Sequence, residues 1–242
     1  MAKEQMTPMM TQYLKTKEEY EDCILFYRLG DFYEMFFDDA IKASKELEIT
    51  LTGKDCGLSE RAPMCGVPFH SASVYIAKLI EKGYKVAICE QVEDPKTAKG
   101  IVKREVIRVV TPGTVVDEEL LDEKNNNYLA VIYSQRDKYG FAVSDISTGE
   151  IYTTEISGAD EALNEIARYE PKEILLNSDT AEKLSAQVEL RFHIIPDECT
   201  DDFFENSEFE KNILQQFGKN SLSEIALDTC LLYTSDAADD TP

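Results

Sequence analysis

The sequence predicts an α/β protein of two domains, and three observations support this. The chain has 242 residues, of which 43% are hydrophobic, enough for two ordinary globular cores. Helical and strand patterns alternate through the first 115 residues. A polar, acidic segment at 116–127 then separates them from a second run of strands and helices, as a linker would.

The first predicted domain, residues 1–115, begins with a helix. Thr7 suits the N-cap and Pro8 the first turn of a helix that continues to about Tyr20. Helices that alternate with strands favour a mixed sheet packed against helices. The remaining predicted elements are strand 24–29, a Gly30-Asp31 turn, strand 32–37, a helix capped by Asp38 or Asp39, strand 49–52, a loop at 53–69, a helix capped by Ser71 or Ser73 that runs to Lys82 and is ended by Gly83, and strands 84–90 and 102–110.

The second predicted domain, residues 128–229, starts with strands at 128–133, 141–146 and 151–156. Their short connections favour antiparallel hairpins. A helix, a strand, a helix and a strand follow, at 161–169, 173–176, 180–187 and 189–194. Three meandering strands followed by α-β-α-β are the ribonuclease H-like arrangement.

The last residues, 230–242, do not continue this pattern. The stretch from Cys230 to Asp240 resembles an in-frame translation of a sequencing-library adapter. We expect 230–242 to be a non-native tail and exclude it from the fold prediction.

The charge is unevenly distributed between the two halves. Residues 1–115 carry 16 basic and 18 acidic side chains, whereas 116–242 carry 9 and 29. Affinity for nucleic acid depends mainly on Lys and Arg that meet phosphates. The first half therefore fits a nucleic-acid contact better, and the acidic second half fits protein contacts. No secretory signal and no run long enough to cross a bilayer is present, so we expect a cytoplasmic protein without membrane association.

Catalytic and metal-binding patterns are weak. Gly53-Lys54 lacks the other residues of a P-loop, and no nucleophilic triad can be assembled, so we predict no catalytic residue. Both histidines, His70 in a loop and His193 in an apolar strand, are expected to be structural. A zinc site of Cys56, Cys65, Cys89 and His70 matches no common ligand spacing, so no metal site is predicted.

One alternative function depends on acidic residues of the second domain. A ribonuclease H-like domain can be a metal-dependent nuclease when carboxylates gather at strand ends. Asp145 on the second strand is the first candidate, with Glu150 and Asp160 as further ones. In so acidic a region, chance alone supplies such candidates.

The most informative segment of the sequence is the aromatic run 26–40. In an extended strand, Phe32, Glu34 and Phe36 point to one face, and Tyr33, Met35 and Phe37 to the other. An aromatic ring beside a carboxylate can enter a base stack and test the edge of a base. The alternative is that these side chains belong to the core.

Four stretches together resemble the N-terminal region of the MutS family of DNA mismatch repair proteins. They are the run 26–40, Pro-Met-Cys-Gly-Val-Pro-Phe-His at 63–70, Val-Ala-Ile-Cys-Glu-Gln-Val-Glu-Asp-Pro at 86–95, and Val-Val-Thr-Pro-Gly-Thr at 109–114. The segments 7–10 and 145–150 fit the same family. The resemblance extends from about residue 7 to about residue 228, and it implies a mismatch-recognition domain followed by a connector domain.

The resemblance also implies roles for five residues. Phe32 corresponds to the aromatic wedge that stacks on a mispaired base, and Glu34 to its companion carboxylate. Arg104 falls at a basic phosphate contact, and Lys54 is a second candidate. Met64 is a candidate to pack into the groove beside the wedge, with core packing as the alternative.

The partners that the resemblance implies are duplex DNA with mismatches or small loops, the protein MutL and a second copy of the full-length protein. Proteins of this family are several times longer and bind ATP and Mg²⁺ in a domain outside this segment. No cofactor is therefore expected in residues 1–242 themselves.

Overall fold

The computed structural model forms two compact units, Met1–Glu123 (unit 1) and Lys124–Pro242 (unit 2). Each has its own sheet and hydrophobic core, which confirms the predicted two-domain α/β class. The division lies within 116–127, although the exact bounds of that linker and the non-native nature of 230–242 stay predictions. Residues 230–242 lie outside the described part of the chain. The structure describes residues 6–93, 100–117, 121, 125–135, 138–200 and 209–225.

Unit 1 contains one mixed sheet of six strands in the order β3-β4-β2-β1-β5-β6. Strand β1 is parallel to β5, and the other described pairs are antiparallel. Its elements are α1 (Pro8–Glu19), β1 (Cys23–Leu29), β2 (Phe32–Phe36), α2 (Phe37–Leu47), β3 (Thr52–Lys54), β4 (Ala62–Pro68), a 3-10 turn (Phe69–Ser71), α3 (Ala72–Glu81), β5 (Lys85–Gln91) and β6 (Arg104–Val110).

Helices cover the two faces of this sheet differently. Helices α2 and α3 pack on one face, around side chains such as Phe26, Met35 and Leu79. Helix α1 packs on the other face, which we call the α1 face, where Tyr13 lies against Tyr27 and Phe36. Near the end of the sheet that carries Phe32, the α1 face is left partly exposed.

The start of α2 differs from the prediction. The N-cap position is Phe36, and no side chain caps the helix. Asp39 is instead buried, with 3% exposure, and its carboxylate is a core acceptor. Phe37 has a φ of 52°, a left-handed conformation that interrupts the strand alternation. Phe37 therefore joins the α1-face core, not the face of Tyr33 and Met35.

The predicted strand at 49–52 and loop at 53–69 were wrong. The strand is β3, Thr52–Lys54, and most of the supposed loop is β4, which lies between β3 and β2. Pro68 is the last residue of β4, and Pro63 precedes its first pair with β2. Neither ring interrupts the middle of that ladder, so proline is tolerated here.

The α3 helix is close to its prediction. Ser71 occupies the N-cap position, but its hydroxyl donates to the carbonyl oxygen of Pro68 at 3.3 Å and does not cap the helix. Gly83, with a φ of 82°, follows the helix end as predicted, because this conformation favours glycine.

Unit 2 contains a five-stranded sheet in the order β11-β10-β7-β8-β9. The strands β7, β8 and β9 form an antiparallel meander, and β10 is parallel to both β7 and β11. This confirms the ribonuclease H-like arrangement. Its elements are β7 (Tyr128–Gln135), β8 (Lys138–Asp145), β9 (Glu150–Ile156), α4 (Ala159–Tyr169), β10 (Glu173–Asn177), α5 (Ser178–Phe192), β11 (Asp197–Cys199) and α6 (Phe209–Phe217), followed by a 3-10 turn (Leu222–Ile225).

The predicted last strand of unit 2, at 189–194, was wrong. Helix α5 continues to Phe192 because Ala181, Leu184 and Val188 are buried at helical spacing. His193 is the C-cap of that helix, with a φ of 58°, and does not lie in a strand. The strand on the outer side of β10 is β11, and α6 had no counterpart in the prediction. No helix in the described ranges is long and apolar enough to cross a bilayer.

Buried thiols give unit 1 an expected pH dependence. Burial raises the pKa of Cys23, Cys65 and Cys89 to about 12, so the folded state holds these protons more tightly than the unfolded chain. This stabilisation is fully present below the unfolded pKa and is lost as the pH rises towards 12. Each thiol should reduce the free energy of unfolding by about 1.4 kcal/mol between pH 7.5 and 9.5.

Urea unfolding of the reduced protein, followed by circular dichroism at the two pH values, measures this dependence. A Cys65→Ala variant is expected to lose about 1.4 kcal/mol less over the same interval. Cys199 lies in unit 2, outside the unit 1 core, so Cys199→Ala is the control, and the unfolding transition of unit 1 should stay as in the parent. An identical loss in Cys65→Ala and the parent would contradict the prediction.

Candidate nucleic-acid interface

Phe32 is displayed at the tip of the β1–β2 hairpin. Gly30 makes the turn with a φ of 59°, a conformation that glycine adopts without strain. The Phe32 side chain follows directly and is 47% exposed, whereas Tyr33 and Met35 are buried. The predicted alternation from Phe32 to Phe36 is thus confirmed, and it places an exposed aromatic ring on the α1 face.

A second group of side chains holds this hairpin from the opposite face. The guanidinium of Arg28 lies 3.6 Å from the ring centroid of Phe69 and 3.1 Å from the Glu90 carboxylate. The Tyr33 hydroxyl donates to the same carboxylate, and burial together with this bond raises the Tyr33 pKa to about 12. The Phe69 amide donates to the Asp31 carbonyl oxygen at 3.0 Å. Phe32 therefore projects from a well-supported turn.

No role at this site was predicted for Arg28, Phe69 or Glu90. The signal in the sequence was their membership of the segments 26–40, 63–70 and 86–95. Sequence alone could not show that β1 pairs with β5 and β2 with β4, and these pairings bring the three segments together.

Glu34 lies on the α1 face, two residues from Phe32. It pairs with Tyr27 on one side and with Gly66 on the other. Its side chain is 16% exposed, and its Oε2 lies 2.5 Å from the Nζ of Lys54. A Cβ at position 66 would lie 3.4 Å from the Glu34 Cγ and 3.2 Å from the Tyr33 carbonyl oxygen. The structure therefore brings the Glu34 carboxylate and the Lys54 ammonium together on the α1 face.

The position of Met64 fits part of each of its two predicted alternatives, groove contact and core packing. It pairs with Phe36 and Thr52 and packs, half-buried, against the α1-face core. It shares a face with Phe32, but the Glu34–Gly66 pair lies between them along β2 and β4. Core packing accounts for the buried part of Met64, and the remainder is accessible from the α1 face.

Arg104 lies at the end of the sheet that carries Phe32. It pairs with Gln91, the last residue of β5. Its Nε donates to the Arg28 carbonyl oxygen at 2.7 Å, and Leu29 next to Arg28 pairs with Phe32. The other end of the guanidinium donates to Gln12 at 3.1 Å and to the Val102 carbonyl at 2.9 Å. These bonds fix a positive charge near the hairpin while using much of its donor capacity.

The three acidic residues that were candidates for a metal site in unit 2 do not form one in the described part of the chain. Asp145 accepts hydrogen bonds from the amide of Ser147 at 2.9 Å, its hydroxyl at 2.6 Å, and the amide of Asn127 at 2.9 Å. Burial raises its pKa, but these hydrogen bonds outweigh burial and lower the pKa overall. Glu150 binds Asn126, and Asp160 is exposed in α4. Asp145 is thus the structural acceptor of the β8–β9 hairpin.

The four residues weighed for zinc do not converge either. Cys65 belongs to the core beneath α2 and α3, whereas Cys56 and Cys89 belong to the α1-face core on the other side of the sheet. His70 is exposed. Within the described ranges, no group of three or more His, Cys, Asp or Glu side chains is placed to hold a metal ion.

Two family models match this chain. MutS domain I matches residues 7–119, and MutS domain II matches residues 127–238. The second match ends within 230–242, the segment predicted to be a non-native tail. Between them the two models account for most of the chain, with a junction that falls between the two structural units.

Curated relatives carry the name DNA mismatch repair protein MutS. The protein from Acetivibrio thermocellus is 56% identical over 228 residues, which are 92% of this chain and 26% of that protein. Its counterpart from Ruminiclostridium cellulolyticum is 55% identical, over 90% of this chain and 26% of the relative. The protein from Clostridium botulinum strain Alaska E43 is 62% identical over 72% of this chain and 18% of the relative.

This chain therefore spans about a quarter of the length of the first two relatives. The match to both domain models and the identity above 50% over nine-tenths of the chain lead to one conclusion: the chain belongs to the MutS family and carries domains I and II of that family.

Proposed function

We propose that unit 1 recognises mispaired or unpaired bases in duplex DNA, with Phe32 as the wedge. The observation that carries this proposal is the exposed Phe32 ring beside the half-buried Glu34 on the open part of the α1 face. Membership of the MutS family supports it, since the relatives are named as DNA mismatch repair proteins.

The chemistry of the wedge is base stacking. An aromatic ring that stacks on a base contributes roughly 1–3 kcal/mol. A mispaired base is already weakly stacked, so a kink at that step costs less than at a matched pair. A wedge of this kind senses deformability, and one site can therefore accept many different mispairs.

Glu34 is proposed to discriminate between matched and mismatched duplexes. An ionised carboxylate accepts hydrogen bonds only, so it can receive one from the N–H of a base displaced by the wedge. On matched DNA it finds no such donor and is repelled by the phosphates. Its contribution is then to specificity more than to affinity.

Arg104 and Met64 are proposed as secondary contacts to DNA, and Lys54 as the partner of Glu34. Arg104 places a fixed positive charge near the Phe32 hairpin, where it attracts the phosphate backbone. The Lys54 ammonium lies beside the Glu34 carboxylate. The accessible part of Met64 offers apolar contact to the groove, below the Glu34–Gly66 pair.

The wider assignments rest on family membership. We propose that the chain works within a longer protein that forms a homodimer, contacts MutL, and binds ATP and Mg²⁺ in other domains. Its proposed location is the cytoplasm, where bacterial DNA lies. For residues 1–242 we propose binding and no catalysis, since no arrangement of Asp145, Glu150 and Asp160 favours the nuclease alternative. Unit 2 is proposed as the connector.

A chimaera provides the direct test of mismatch recognition. Residues 1–225 of this chain replace the matching segment of the Acetivibrio thermocellus relative, which is 56% identical. Dissociation constants for a mismatched and a matched duplex are measured at one fixed salt concentration, because affinities for DNA depend strongly on salt. A clear preference for the mismatched duplex supports the proposal, and equal affinities reject it.

Glu34→Gln in this chimaera tests the discriminator. Loss of the charge relieves repulsion from matched DNA, while the amide still bonds a displaced base. Matched-duplex affinity should therefore rise more than mismatched affinity, and discrimination should fall by about 1 kcal/mol, the scale of one hydrogen bond.

The matched control for Glu34→Gln is Glu105→Gln. Glu105 is an acid of β6 whose side chain is 53% exposed. It should raise both affinities slightly and equally, since only a distant negative charge is lost. A ratio unchanged by Glu34→Gln would show that the carboxylate does not sense the base.

A further inference from the structure

We propose that Lys54 is a positioning residue that sets mismatch specificity through Glu34, and that it does not act by contacting a phosphate. This inference rests on the proposed function of unit 1, and it assigns Lys54 a role different from the one that family resemblance implies. The geometry that points to it is the ion pair between Lys54 on β3 and Glu34 on β2, two strands with β4 between them.

The Lys54 side chain reaches across the α1 face to make this pair. Lys54 itself pairs with Ala62, whereas Glu34 pairs with Gly66, further along β4. The ammonium lies 5.6 Å from the ring centroid of Phe36, which is between them on the same face, and ends 2.5 Å from the Glu34 Oε2. The lysine therefore extends back over the sheet towards the end that carries Phe32.

The Glu34 side chain lies beside Gly66, the residue opposite it on β4. A Cβ at position 66 would lie 3.2 Å from the Tyr33 carbonyl oxygen and 3.4 Å from the Glu34 Cγ, and only the first distance is tighter than ordinary contact. Among the described residues, no donor other than Lys54 bonds the Glu34 carboxylate. Without Lys54, this carboxylate would be free to turn towards solvent.

Burial strengthens the pair relative to an ordinary surface ion pair. The Glu34 side chain is 16% exposed and that of Lys54 is 32% exposed. Partly buried charges are screened less by salt than exposed ones.

A lysine that positions Glu34 and a lysine that contacts a phosphate are expected to affect DNA binding differently when they are removed. A basic residue that neutralises a phosphate releases a counterion, and its removal lowers the slope of log Kd against log salt by about 0.9. It also weakens binding to all duplexes about equally. A positioning lysine changes the ratio between mismatched and matched duplexes, and only while Glu34 is present.

The test is a double-mutant cycle in the chimaera, with Lys54→Met, Glu34→Gln and both changes together. Lys54→Met should lower the discrimination ratio about threefold to fivefold, no more than Glu34→Gln does. In the Glu34→Gln background, the same change should alter the ratio by less than about 1.5-fold, because coupled residues are not additive. The salt slope should stay the same.

Two further variants test whether the effect requires a cation at position 54 itself. Lys54→Arg keeps a cation that can pair with Glu34, so it should restore most of the ratio. Lys78→Met removes a positive charge from an exposed position on α3, on the opposite face of the sheet, and should leave the ratio unchanged.

The proposal is overturned if Lys54→Met weakens both duplexes equally and lowers the salt slope by about 0.9, or if its effect is the same with and without Glu34. The parent chimaera distinguishes this failure from a broader one. Absence of any mismatch preference in the parent rejects the proposed function itself, and the role of Lys54 with it. A preference in the parent together with an additive cycle rejects the role of Lys54 alone.

Discussion

Replacing Asp39 with Ala is expected to destabilise unit 1 by about 3–5 kcal/mol, the cost typical of removing one partner of a buried ion pair. Asp39 is 3% exposed. Its Oδ2 accepts from the Leu25 amide at 3.0 Å and from the Tyr13 hydroxyl at 3.3 Å. Its Oδ1 lies 3.0 Å from the Nζ of Lys17. One carboxylate thus joins α1, β1 and α2.

The cost is large because the Leu25 amide loses its acceptor in the core and the Lys17 ammonium loses its counter-charge. An unpaired buried amide costs about 1–3 kcal/mol. The Tyr13 hydroxyl keeps the Phe36 carbonyl oxygen as an acceptor at 3.3 Å, and Lys17 keeps its bonds to the carbonyl oxygens of Cys23 and Glu21. Burial and the Asp39 charge both raise the Tyr13 pKa well above its ordinary value, so this hydroxyl stays a donor at neutral pH.

The neighbouring Asp38 supplies the control for this prediction. It is exposed in the first turn of α2, where an acidic side chain contributes about 0.3–1 kcal/mol through the helix dipole. Urea unfolding should show the large loss for Asp39→Ala and a small one for Asp38→Ala. Hydrogen exchange at the Leu25 amide should accelerate only in the first variant. A loss below about 1 kcal/mol for Asp39→Ala would contradict the buried network.

Asp39 also illustrates what periodicity predicts and what it misses. Its position before an apolar helix favours an N-cap, because short acidic side chains commonly bond the first amides of helices. The structure assigns it to the core because Tyr13 and Lys17 on α1 and Leu25 on β1 arrive from elsewhere in the chain. Local propensity carries no information about partners that only tertiary structure supplies.

Strands were predicted well where their side chains alternate and poorly where they do not. The run from Phe32 to Phe36 has the two-residue period, so its exposed and buried faces could be assigned from sequence. Strand β4 contains Pro63, Gly66 and Pro68, which favour a loop by local criteria. It is a strand because two neighbouring strands pair with it.

The same distinction holds for the candidate site. Phe32 and Glu34 were predictable as neighbours on one face because they are two residues apart in a strand. The approach of Lys54 to Glu34 was not, because it depends on the registers of β3 with β4 and of β4 with β2. Residue types therefore predict which side chains are candidates to contact DNA, while the strand registers determine which of these side chains meet each other.

Phe32→Ala in the chimaera is expected to remove most of the mismatch preference. Stacking of one aromatic side chain on a base contributes roughly 1–3 kcal/mol, and this contribution is larger at a mismatch, where the step opens at less cost. Discrimination should therefore fall by about 5- to 150-fold. Phe32→Leu keeps apolar bulk without a flat ring and should fall between Phe32→Ala and the parent.

The fold should not change, and this makes the experiment decisive. Phe32 is 47% exposed at a hairpin tip, so its removal creates no internal cavity, and the free energy of unfolding should stay within about 0.5 kcal/mol of the parent. Ile107→Ala is the control, because Ile107 is 61% exposed on the edge strand β6 and should leave the ratio unaltered. Comparable mismatch preference in Phe32→Ala and the parent, at unchanged stability, would mean that recognition uses another part of the α1 face.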